Sequence, residues 1–193
     1  MLEPLTLSAL GAVALTEGIK FLYAQAGEVL KHWRERKDAA QSTATEPPSA
    51  ESVDFKLPSI FEGQLTAPQI HFDAVQRLEA QLREERKGLA DYAEGIEAID
   101  SANENLLRRI DVLRRLLEAI YQQRLTFQGE HRPTSGPVVK GRIDVDEVAG
   151  FAAAVRARVI ASGEVTGEGT SQRVAPEGRF VTIDVDTIGG TPS

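Results

Sequence analysis

Two aspartate pairs, Asp144/Asp146 and Asp184/Asp186, are the residues whose type and spacing come nearest to chemistry in this chain. Residues two apart on a strand share a face, so each pair points to one side. Four carboxylates gathered from paired strands could hold a hard cation such as calcium. The calcium-loop pattern with its central Gly and closing Glu is absent. The commoner use of such carboxylates is a solvated strand face that also deters edge pairing, so no resident metal is expected. Gly167-Glu168-Gly169-Thr170-Ser171 has the look of a phosphate loop but lacks the Lys and the following helix that a nucleotide site needs. It reads as a hairpin turn. His32, His71 and His131 have no His or Glu at metal-binding spacing, and no Gly-x-Ser-x-Gly nucleophile motif occurs. Nothing assigns a catalytic residue, a cofactor or a metal, and the expectation is a protein without enzymatic activity.

The elements that carry the aspartates have a period of two. Val139, Gly141, Ile143 and Val145 alternate with Lys140, Arg142, Asp144 and Asp146; Val155, Ala157, Val159 and Ala161 are spaced by two; Val181, Ile183 and Val185 alternate with Thr182, Asp184 and Asp186. These read as strands, broken at Gly163, Gly167, Gly169, Pro176 and Gly178. Val148–Val155 is the one stretch there that also suits a helical turn or two. Ile143–Gly150 is echoed by Ile183–Gly190, forty residues on. This suggests a small repeat-built β unit over residues 138–193, as a sandwich or as short solenoid coils.

Upstream the period changes. Val75, Leu78, Leu82, Leu89, Tyr92, Ile96, Ile99, Asn103, Leu106, Ile110, Leu113, Leu117 and Ile120 recur at alternating spacings of three and four, with Glu85 completing the series. That is the seam of a coiled coil over residues 67–127. Thr66 as N-cap and Pro68 at the first position give a start, and an unbroken helix would be about 90 Å long. Asn103 at a core position would fix register between two strands. Against a parallel dimer, Arg109 would face Arg114 of a second copy. Leu107, Leu116 and Tyr121 widen the apolar face, and Ser101 with Glu104 forms a capping box that favours a helical hairpin. Preservation of phase across Asp100–Glu104 argues for the continuous helix. Arg108, Arg109, Arg114 and Arg115 form a basic stripe, explained by pairs with Glu104, Asp111 and Glu118.

Residues 1–38 read as one helix from Pro4, with Leu15, Ile19, Leu22, Ala26, Val29, Leu30 and Trp33 on one face. Leu5–Leu15 is apolar or small all round, but Glu17 and Lys20 cut the run far short of the about 20 residues a membrane span needs. Burial against the other helices is the simpler reading. Docking on or entry into lipid through the same face, with Trp33 and the Arg34–Lys37 cluster at the interface, is the rival. No secretory signal is expected, since Glu3 sits where a positive n-region belongs. Residues 39–66, with Pro47-Pro48, have the composition of a flexible linker, and Phe55, Leu57, Ile60, Phe61 and Leu65 at its end could dock on the helices. A second linker spans 128–137.

The formal charge of −7 is spread without any basic segment, which disfavours nucleic acid as a partner. The chain has no Cys, in keeping with a cytoplasmic setting. The expected fold class is α+β: an N-terminal helix, a long coiled-coil helix or helical hairpin, and a small β-rich end. The expected role is a self-associating scaffold or adaptor, a homo-oligomer through the helical seam, that presents the β unit to a protein partner.

Overall fold

The computed structural model describes residues 7, 10–42, 50–53, 57–63, 65, 68–133, 135–160 and 164–188. The architecture is mixed α+β and divides into two units, Met1–Ser135 and Gly136–Ser193.

The first unit is built on helices. α1 (Ala12–Ser42) starts later and ends later than the expected 4–38. All seven residues of its apolar face are buried, from Leu15 to Trp33. Two short strands follow, β1 (Ala50–Ser52) and β2 (Phe61–Glu62), so the expected linker is in part ordered strand. β1 pairs antiparallel with β3 (Gln69–His71). The strand also displaces the expected helix start at Thr66/Pro68, and α2 (Phe72–Gly88) begins directly after it. Of the apolar patch in the linker, Phe61 is buried and Leu57, Ile60 and Leu65 pack against the core. Phe55 lies outside the described residues.

The long helix expected over 67–127 is not continuous. α2 gives way to one turn, α3 (Ala90–Ala93), and the chain then folds back into α4 (Glu104–Tyr121). Three local features make the break. Gly95 takes φ +76°, where a side chain would be strained, and the N–H groups of Ile96 and Glu97 both donate to the Asp91 carbonyl at 2.8 and 3.1 Å. Asp100 Oδ1 accepts from the Ala102 N–H at 2.9 Å, an Asx-type turn. Asn103, assigned above to a coiled-coil core position, is instead the N-cap of α4. Its Oδ1 accepts from the N–H groups of Asn105 and Leu106 at 3.1 and 3.2 Å.

The seam survives as the inside of a hairpin. Val75, Leu82, Leu89, Leu106, Ile110, Leu113, Leu117 and Ile120 are buried in one core with the α1 face. Leu78, Tyr92 and Ile99 pack at its margin, and Ile96 in the loop is 73% exposed. α1 lies antiparallel to α2: Trp33 and Lys37 reach Glu79, while Tyr23 meets Arg86. α4 closes with Gln122 in the left-handed region at φ +51°. β4 (Gln123–Arg124) and β5 (Thr126–Phe127) follow, and β5 pairs with β2, bringing the Phe61 and Phe127 rings to 4.5 Å.

The second unit holds four strands, β6 (Gly136–Val148), β7 (Phe151–Ile160), β8 (Glu164–Val174) and β9 (Arg179–Ile188). β6 pairs in parallel with β8, and β7 in parallel with β9, in separate sheets. The chain therefore goes out on β6, returns in the other layer on β7, and repeats the circuit on β8 and β9. This is a two-coil solenoid. Val148–Val155, open above to a helical reading, is instead the end of β6, a two-residue corner and the start of β7. The forty-residue echo is not the structural repeat. Ile143 lies beside Gly169 and Ile183 beside Val155, so the two echoed segments are not hydrogen-bonded to each other.

Gly167 and Gly169 lie within β8 rather than in a hairpin turn. Close approach of the layers is the reason. A Cβ on Gly167 would come within 2.2 Å of the Thr182 carbonyl oxygen, and one on its register partner Gly141 within 2.2 Å of the Ala154 oxygen. Glycine inside a strand here marks backbone contact, not a turn.

Candidate functional site

Side-chain chemistry concentrates in three places, two inside the helical unit and one on the solenoid. In the helical unit, Glu79 on α2 gathers three donors. Trp33 Nε1 donates to its Oε2 at 2.6 Å and Lys37 Nζ to the same oxygen at 2.9 Å; Arg83 Nε and Nη2 donate to Oε1 at 3.2 and 2.9 Å. The Lys37 and Trp33 hydrogen bonds, in that order, hold the Glu79 carboxyl down to about 2. This is a clamp between α1 and α2.

The second place is a buried ion pair. Arg114 Nη1 donates to both Glu130 oxygens at 2.7 Å, Arg114 Nη2 donates to Asp111 Oδ1, and Glu130 Oε2 also accepts from the Phe127 N–H at 2.8 Å. Beside it Glu118 Oε1 accepts from the Leu125 N–H at 2.9 Å and from Arg132 at 3.3 Å. With Arg115, whose Nε lies 2.8 Å from Asp111 Oδ2, three arginines face three carboxylates in this cluster, and it ties residues 125–132 to α4. Tyr121 nearby has its hydroxyl pKa pushed up, first by burial and then by the charge of Glu28. The other members of the basic stripe are accounted for: Arg108 pairs with Glu104, Arg115 with Asp111, and Arg109 with Glu85 across the hairpin. Arg109 thus meets a carboxylate of its own chain instead of an arginine of another. Sequence reasoning missed Glu130 as the partner of Arg114, because the pairing spans the turn after α4 and has no helical spacing to announce it.

The third place is the pair of solenoid coils. Asp144/Asp146 lie on β6 and Asp184/Asp186 on β9, in different sheets. Asp144 accepts from Arg142 and Thr170 at 2.7 Å each, which lowers its pKa, Arg142 contributing most. Asp146 accepts from Gln172 at 3.1 Å, and Asp184 meets Arg156 at 3.3 Å. Thr170, Gln172 and Arg156 come from the adjacent coil, so Asp144, Asp146 and Asp184 serve stacking pairs between coils; the Asp186 side chain lies outside the described residues. Among the described residues no cluster of three or more His, Cys, Asp or Glu could hold a metal ion.

At two register positions the second coil is more open than the first, although Val139 and Phe151 of the first coil are themselves 36% and 44% exposed. Val148 and Val155 in the first are 4% and 6% exposed; their register partners in the second, Val174 and Ile183, are 46% and 39% exposed. In the β7–β9 sheet the outer edges of both strands are without a partner among the described strands.

The remaining predicted residues are placed as follows. Leu15, Ile19, Leu22, Val29, Leu30 and Trp33 face the core of their own unit. Trp33 stacks on Phe72 with ring centroids 6.1 Å apart. Among the described residues no helix is long and apolar enough to cross a membrane. No protein-family model matches the chain, and no curated protein or solved structure matches it either.

Proposed function

We propose that the chain is a non-enzymatic scaffold or adaptor that self-associates and presents its β unit to a protein partner. The observation that carries this reading is the exposed second coil. Val174 and Ile183 stand open where their counterparts one coil earlier are covered, and apolar side chains on an unpartnered sheet edge favour a further strand or surface over water. The helical seam has a different part in this reading from the one its heptad pattern suggested. It acts as the internal packing surface of α1, α2 and α4, and association falls to the solenoid. Sedimentation velocity with light scattering tests the idea on the intact chain. Average mass is expected to rise above 21.0 kDa over the micromolar range. A particle that stays monomeric at tens of micromolar removes self-association.

A further inference from the structure

We propose that two copies of this chain join end to end through their second coils, β8 beside β8 and β9 beside β9 in antiparallel pairs, about a two-fold axis that crosses the layers at Gly167 and Ile183. The proposal rests on the self-association reading and names its surface, symmetry and register.

Only the second coil has free edges in both layers. β6 lies between two strands of its sheet while β8 ends it, and Val155 of β7 is 6% exposed where Ile183 of β9 is 39%. β8 and β9 run for eleven and ten residues without a Lys or a Pro. Long edges lacking these devices are templates for pairing. Symmetry then selects the register. Opposite residues of an antiparallel pair share a face, so a two-fold axis normal to the sheet passes through a residue and not between two. An axis through Asp184 would set that carboxylate against itself. One through Val185 would place it opposite Asp186, and one through Thr182 opposite Phe180. One through Val181 would carry it past the end of the other strand. Through Ile183, each Asp184 meets the Thr182 of the other copy, whose hydroxyl can donate to it. Asp184 keeps its 3.3 Å contact with Arg156. On the same register the exposed Ile183 meets Ile183, and Val181 meets Val185, β-branched pairs of the kind that stabilise strand pairing. The other layer agrees. A Cβ on Gly167 would lie 2.8 Å from Ile183 Cγ1, so the axis through Ile183 meets β8 at Gly167. There Glu168 falls opposite Thr166, whereas a shift of one residue would set Glu168 against itself. Such a contact is isologous and closes at two copies.

Cysteine pairing in the full chain tests the axis, with no native Cys to interfere. Opposite residues of an antiparallel pair stand within disulfide reach. I183C, mildly oxidised, is therefore expected to give a disulfide-linked dimer by itself. V181C and V185C are expected to link when mixed, while either variant alone gives little. Light scattering on the wild type is expected to level off at twice 21.0 kDa. Growth past two copies, or a dimer in which none of these links forms, overturns the second-coil contact while leaving self-association standing. A monomer at all concentrations removes both. A second arm uses Thr182, which is exposed. T182D sets carboxylate against carboxylate on both sides of the axis and is expected to weaken dimerisation roughly tenfold. The exchange T182D/D184T again places a hydroxyl opposite each carboxylate and is expected to recover it. Undiminished dimerisation of T182D, or a folded exchange variant as weak as T182D, would overturn this register.

Discussion

At the residue scale the Arg114–Glu130 pair illustrates how burial changes the meaning of a charge. Arg114 is 1% exposed and Glu130 is fully covered. Desolvation of both ions offsets most of their attraction, so the pair contributes little net stability, but removing one partner strands the other. Glu130→Gln keeps an oxygen for the Phe127 N–H yet strips half of the compensation from Arg114. It is expected to cost roughly 3 kcal/mol, read as a lower urea midpoint. The double change Arg114→Met with Glu130→Gln is expected to recover much of that loss. Glu79 gives a pH signature instead. Its carboxyl pKa falls from an ordinary 4.5 to about 2 on folding, so its contribution is complete above 4.5 and is lost as pH drops toward 2. The wild type should melt above Glu79→Gln at pH 7, and the gap should close across that acidic window. Persistence of the full gap at pH 2.5 would show that the clamp acts through shape rather than charge.

At the scale of elements, periodicity identified faces and failed on continuity. Every residue assigned to the apolar face of α1 is buried, because a helix that packs within its own unit needs no other information than spacing. The seam from Val75 to Ile120 kept phase through a ten-residue interruption, Glu94–Asn103, only because both arms of the hairpin address the same core. A run in phase therefore reports a shared interior, not one rod. The turn itself was legible in the capping box of Ser101 with Glu104, although the cap proved to be Asn103 rather than Ser101. In the β unit the alternation located strands and Pro176 and Gly178 marked a true turn between β8 and β9, but Gly167 and Gly169 were misread as a turn, since sequence alone cannot say when two backbones approach. Gly141 provides the test. Its Cβ would collide with the backbone oxygen of Ala154, whereas a Cβ on Gly150 meets nothing within 4 Å. Gly141→Ala is expected to loosen the solenoid, by about 1–3 kcal/mol for an overpacked contact, and to admit proteolytic cuts within residues 136–188. Gly150→Ala should resist protease like the wild type.

At the scale of the whole molecule, the question is which apolar surface is left for other molecules. The heptad pattern and the α1 face are both drawn into the core of the first unit. An oligomer or a lipid contact built on those residues would first have to open that core. Trp33, the single tryptophan of the chain, reports on this directly, since it is buried between Phe72 and Glu79. A core closed within one chain unfolds at a temperature independent of protein concentration, whereas a core shared between copies is stabilised by mass action. The Trp33 fluorescence midpoint is accordingly expected to stay constant between 1 and 100 µM (about two decades, enough to displace a concentration-linked midpoint), even while the average mass of the assembly climbs. Adding anionic vesicles is expected to leave the Trp33 emission maximum in place, because the side chain has no free face to offer. A midpoint that rises with concentration would return the helical seam to service between copies. A blue shift with vesicles, accompanied by flotation of the chain, would instead mean that α1 leaves the bundle for lipid, and the solenoid would no longer be the leading surface for association.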